Sequence, residues 1–165
     1  MESRVKLLGH PVHPMLIVFP LGLLSTAVVF DVLYVFLDNP DLAIFSFWAL
    51  VAGLIGGLAA AIFGLLDWTK IPSGTRAKRI GASHGIGNVA VVLLFAASLA
   101  TRWSAPAYLP DTLPAILAVL GAGVSLITAW LGGELVYRLR IGVDDDAGVD
   151  ATSSLARAGV VDAEA

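Results

Sequence analysis

Apolar residues fall along this chain in four long blocks, parted by short breaks rich in proline and charge. The blocks run over residues 15–37, 42–66, about 83–101 and about 113–137. Roughly 20 apolar residues at 1.5 Å each cross about 30 Å of hydrocarbon, so each block is long enough for a bilayer. Backbone donors and acceptors in lipid must be bonded within their own segment, which predicts helices rather than strands. The break Asp38-Asn39-Pro40-Asp41 reads as a tight turn. Pro106, Pro110 and Pro114 interrupt the chain before the last block, and Pro114 suits the first turn of a helix. The fold these breaks predict is all-α and membrane-embedded, a four-transmembrane-helix bundle over residues 1–141.

Charge orients the bundle. Arg4, Lys6, Lys70, Arg76, Lys78, Arg79, Arg138 and Arg140 fall at one end, and only Arg102 falls at the other. Positive residues beside span ends mark the cytoplasmic face, so the expectation is N-in/C-in, with the 67–82 loop also inside. Trp68 and Tyr137 at that end, and Trp103 and Tyr108 at the other, fit interfacial aromatic belts. Residues 142–165 are small, polar and acidic, with Asp144-Asp145-Asp146 and no apolar cluster, and read as a disordered cytoplasmic tail. Arg4 and Lys6 resemble the start of a signal peptide, but the block that follows is too long and lacks a cleavage site, so it reads as a retained helix.

Composition agrees with the blocks: of 165 residues, 58% are hydrophobic and 14% charged, and mean hydropathy is +0.86. The chain has no cysteine, which excludes disulfides, thiolate metal sites and cysteine nucleophiles. No basic run interleaved with aromatics points to nucleic acid. No nucleophile triad, P-loop or dinucleotide fingerprint is present, so the residues name no reaction.

Polar residues gain meaning once each has a depth. His10 and His13 precede the first span, Asp67 ends the second, His84 opens the third, and Glu134 lies near the end of the fourth. All therefore fall in one layer at the cytoplasmic end. Prolines in His10-Pro11-Val12-His13-Pro14 push the preceding histidines away from helical geometry, which predicts a stiff, partly extended bracket. Asn88, four residues after His84, shares its face and is placed to orient the imidazole. Ionisable groups in spans are costly and usually serve function. Asp31 stands apart near the other end, where Arg102 is the sole basic partner for a structural ion pair and Ser46 offers a hydroxyl instead.

Small residues line the second block at a spacing of four, as Gly53, Gly57, Ala61 and as Gly56, Ala60, Gly64. They permit close helix packing, or they leave room for a flat ligand.

Several motifs together resemble the bacterial membrane-protein family called domain of unknown function 2231. They are His10-Pro11-Val12-His13-Pro14 with Phe19-Pro20, then Gly64-x-x-Asp67-Trp68, then Ile71-Pro72-x-Gly74-Thr75 with His84 and Asn88, and finally Gly132-Gly133-Glu134-Leu135-Val136-Tyr137. The resemblance covers residues 9 to about 143. It implies a bacterial inner membrane location and a redox setting, because similar domains occur joined to cytochrome-like and Rieske-like modules. Relatives often carry a histidine shortly after the tyrosine, where this chain has Arg138-Leu139-Arg140.

Three functions stay open at this point. His10, His13 and His84 with Asp67 or Glu134 suit a transition metal ion, zinc or iron. Alternatively, His84 with His10 or His13 supplies two axial imidazoles to haem b in an electron-transfer subunit. The third is a cofactor-free structural or assembly protein. The partners expected are the lipid bilayer and either other redox membrane subunits or further copies of the chain.

Overall fold

Prolines and their neighbours set where the helices begin and end. In the computed structural model, which describes residues 1–155, a short antiparallel hairpin of β1 (Lys6–Leu7) and β2 (His10–Pro11) leads into α1 (Val12–Leu16). A break at Ile17 separates α1 from α2 (Val18–Leu37). Pro20 has no N–H to give the Leu16 carbonyl four residues back, which accounts for that break. Asp38 turns the chain in left-handed conformation (φ 50°). Asn39 then caps α3 (Pro40–Lys70) by accepting from the Asp41 amide. Ile71, held extended ahead of Pro72, ends α3. Thr75 caps α4 (Arg76–Arg102) by accepting from the Lys78 amide. A 3-10 turn at Pro106–Tyr108 precedes α5 (Thr112–Gly133), whose last turn widens into a π turn at Glu134–Arg138. Pro114 lies in the first turn of α5.

Each apolar block lies within one of four helical segments long and apolar enough to cross a membrane. α2 packs along α3 and α4 along α5, while α3–α4 and α2–α5 contacts close the bundle. Leu24, Ala27, Leu50, Leu54, Val91, Phe95 and Ala118 form its core. Large apolar side chains such as Phe36, Ile86 and Leu126 cover the outside, as a lipid-facing surface requires.

The glycine face of α3 is where the first span seats itself. A Cβ at Gly53 would come within 2.7 Å of the Leu24 side chain, and one at Gly56 within 3.1 Å of Phe19. The small residues thus serve close approach, and the space they free is filled by α2 rather than left for a flat ligand.

Two features differ from the sequence reading. His13 is helical although Pro14 follows it, because it sits in the first turn of α1, where the proline's missing N–H leaves no bond unmade. The start of the tail is also tied down. The Gly142 amide donates to the Met1 carbonyl, Lys6 pairs with Asp144, and Asp145 lies 3.6 Å from the N-terminal amine. Bonds to Asp144 and then Glu2 raise the Lys6 pKa above its ordinary value. Residues 156–165, the rest of the expected disordered tail, lie outside the described residues.

Candidate functional site

Two histidines enter the bundle and meet helix backbone. α1 carries His13 onto α3, where its Nδ1 lies 2.9 Å from the Ala60 carbonyl. The ring rests on Gly64, at which a Cβ would stand 2.8 Å from Cε1. His84, on α4, places Nδ1 at 2.9 Å from the Thr128 carbonyl on α5. Its ring faces Gly132, where a Cβ would stand 3.2 Å from Cε1. His13 is within electrostatic reach of His84.

These contacts assign the tautomers. A carbonyl only accepts, so Nδ1 of each ring carries the proton and Nε2 of the neutral imidazole keeps its lone pair. Around His84 the neighbours agree. The Thr128 hydroxyl is placed to donate to the Ser125 carbonyl at 2.9 Å and to Asn88 Oδ1 at 3.4 Å. The Asn88 Nδ2 group faces His84 Nε2 at 3.2 Å and donates to the His84 carbonyl at 2.8 Å. Asn88 therefore orients the imidazole, with Thr128 behind it. Sequence reasoning missed Thr128; the signal was its place one turn after Ser125 in the apolar middle of the span.

The carboxylates lie nearer the bundle end. Ala60 is about 15 Å along α3 from Lys70, at 1.5 Å per residue, whereas Asp67 is in the last turn. Asp67 accepts from Ser3 Oγ at 2.7 and 2.8 Å and from the Arg4 amide at 2.6 Å. Glu134 pairs with Arg76 at 2.6 Å. His10 is exposed on β2, with Nε2 at 3.2 Å from Ser154 Oγ, beside an open hollow lined by Pro11, Pro14 and Met15. The five residues are thus placed apart: His13 and His84 inside, Asp67 and Glu134 at the mouth with other partners, and His10 at the surface. Among the described residues, no group of three or more such side chains is placed to hold one metal ion. The physical reason is depth, since the carboxylates find hydroxyl, amide and guanidinium partners at the mouth before they can reach the imidazoles.

A second polar cluster occupies the opposite end. Arg102 turns inward from the last residue of α4 and is 0% exposed. It grips Asp31 with two bonds, of 2.9 and 2.8 Å, and reaches Ser46 at 3.2 Å and Ser98 at 3.0 Å. Asp31 pairs with the arginine, and Ser46, the alternative hydroxyl partner for Asp31, bonds the same guanidinium instead. Ser98, four residues before Arg102, passes its own proton to the Pro114 carbonyl at 2.8 Å. Phe47 is 1% exposed at this end of the bundle; its ring stacks on Tyr108 at 3.8 Å and tilts against Trp103 at 5.5 Å. Paired charges and satisfied hydroxyls make this cluster a structural clamp across α2, α3 and α4.

Among known proteins, the family model described as a predicted membrane protein, DUF2231, matches residues 9–145. No curated protein and no solved structure matches the chain.

Proposed function

Since the chain belongs to the DUF2231 family of predicted membrane proteins, we propose that it works in the bilayer as a metal-binding subunit. In this reading His13 and His84 hold a transition metal ion, zinc or iron, within the bundle. The observation that carries it is the matched pair of Nδ1 contacts, both 2.9 Å, to the Ala60 and Thr128 carbonyls. Metal-ligating histidines typically donate their second ring N–H to a carbonyl or carboxylate, which orients the ring and raises its basicity. Two imidazoles leave coordination positions for water or an incoming ligand, as in sites that react rather than closed structural ones. Asn88 guards the Nε2 lone pair of His84 and keeps its bond to the His84 carbonyl when an ion takes that lone pair. Asp67 and Glu134 act at the mouth, where they hold the N-terminal segment and Arg76.

A second reading, haem b on the same two imidazoles, draws support from the commitment of both carboxylates elsewhere. Against it, the glycine face of α3 is filled by Phe19, Leu24 and His13. A single ion needs less space.

Elemental analysis and an absorption spectrum of detergent-extracted protein decide between them. Stoichiometric zinc or iron without a Soret band is expected. His13→Ala and His84→Ala should each lower affinity by more than the 10–100-fold typical of losing a supporting contact. Asp67→Asn and Glu134→Gln should change it little. Affinity should fall with acidification, because ligands bind deprotonated. A Soret band lost in either histidine variant would assign haem; protein with neither, after reconstitution with both, leaves the cofactor-free structural role.

The N-in/C-in orientation belongs to the same proposal and rests on eight basic residues at one end against Arg102 at the other. Because the chain lacks cysteine, single cysteines at Ser73 and Ala107, both exposed, report on the two faces. An impermeant thiol reagent on intact cells should label Ala107→Cys and spare Ser73→Cys. The reverse pattern inverts the topology.

A further inference from the structure

The end of α5 combines two exposed arginines with an apolar strip leading to them. Leu126, Trp130, Gly133 and Tyr137 recur at spacings of four, three and four, which places them along one side of a helix. Trp130 is 65% exposed and Tyr137 85%. Between them Gly133 leaves a gap, since a Cβ there would meet only Tyr137 Cδ2, at 3.7 Å. Trp130 and Tyr137 lie about 10 Å apart along the axis, from 1.5 Å per residue. The strip ends at exposed Arg138 and Arg140, which form no ion pair with a described carboxylate.

Three nearby acids are turned to other partners. Glu134 is taken by Arg76, Asp144 by Lys6, and Asp145 faces the N-terminal amine. The backbone here is also unusual: Glu134–Arg138 is a π turn, and Arg140 is left-handed at φ 53°. Such irregular turns recur at binding sites.

We propose that this surface docks an anionic phospholipid. Arg138 and Arg140 take the phosphate, and an acyl chain lies in the Gly133 gap between Trp130 and Tyr137. A soluble phosphate would satisfy the arginines but would have no use for the exposed aromatic strip. A zwitterionic lipid would fill the strip but would carry no net charge to the arginines. Basic residues beside a membrane surface each favour anionic lipid by an amount worth about fivefold in binding.

Native mass spectrometry of the full chain, with phosphatidylglycerol and phosphatidylcholine of matched acyl chains, tests the site. The wild type should retain phosphatidylglycerol preferentially, and Arg138→Gln with Arg140→Gln should reduce that retention by about thirtyfold at low salt. Phosphatidylcholine adducts should fall much less in that variant, because the choline cation offsets the charge of its phosphate. Gly133→Leu should weaken both lipids, because it fills the gap, and Arg79→Gln should weaken neither. Unchanged thermal unfolding in neutral lipid shows that the double variant folds; if it does not, Tyr137→Ala takes its place and should lower retention of both lipids. Equal retention of both lipids by the wild type, or retention indifferent to these variants, overturns the proposal. Displacement of phosphatidylglycerol by inorganic phosphate at constant ionic strength also overturns it, in favour of a free-anion site.

Discussion

Arg102→Gln is expected to lower unfolding stability in detergent by about 3–5 kcal/mol, the cost typical of breaking a buried ion pair by removing one partner. The guanidinium is 0% exposed and Asp31 only 5%. After the substitution Asp31 is left without its two arginine bonds, and the Ser46 and Ser98 hydroxyls lose a donor. In an apolar surrounding an unpaired carboxylate is costly to keep charged, and neutralising it does not restore the lost bonds. Asp31→Asn should destabilise for the mirror-image reason, leaving a buried guanidinium with neutral partners. The double variant should lose far less than the sum, because each single change includes the penalty of the partner left behind. Thermal or denaturant unfolding of the four proteins measures this coupling; additive losses would remove the pair from the account of stability. On the proposed metal-binding reading, affinity at His13 and His84 should be unchanged in any variant that still folds, since the two clusters share no side chain.

Phe47→Ala should cost about 3 kcal/mol, the lower end for removing a buried phenyl group, because lipid offers the exposed ring a less hostile alternative than water does. Its larger consequence is local. Ala107 and Tyr108 both stand at positive φ, 52° and 56°, a conformation that side chains with a Cβ adopt at some expense. The Tyr108 ring, stacked 3.8 Å from Phe47, helps hold them there. Without Phe47 the 103–111 loop should relax, and amide exchange there should rise while α4 and α5 stay protected. Exchange unchanged in that loop would show that the turn holds itself.

Much of this architecture was legible in the chain. The apolar blocks, the Asp38-Asn39-Pro40-Asp41 turn and Pro114 are local signals, and a helix in lipid needs only its own segment to satisfy its backbone. The small residues of the second block left close packing or room for a flat ligand open, and the seating of α2 on them fills that face. Composition and charge count likewise need no knowledge of neighbours. Even Asp31 and Arg102 were readable as a pair, because Arg102 was the sole basic residue assigned to that end.

Which polar groups meet was decided only in three dimensions. Sequence position places a residue along a helix axis, but the partner depends on helix rotation, about 100° per residue, and on where loops fold back. His10 and His13 are three residues apart, yet the hairpin and the first turn of α1 send one to the surface and the other onto Ala60. Asp67 meets Ser3 and the Arg4 amide because the N-terminal segment lies across the bundle end, and no periodicity in residues 1–8 announces that path. Glu134 meets Arg76 because α4 and α5 run side by side with their charged ends level. The chain therefore set the depth of its histidines and carboxylates to within a few turns. Only packing could separate the imidazoles from the carboxylates, because hydrogen bonds form over about 3 Å while one helical turn spans 5.4 Å.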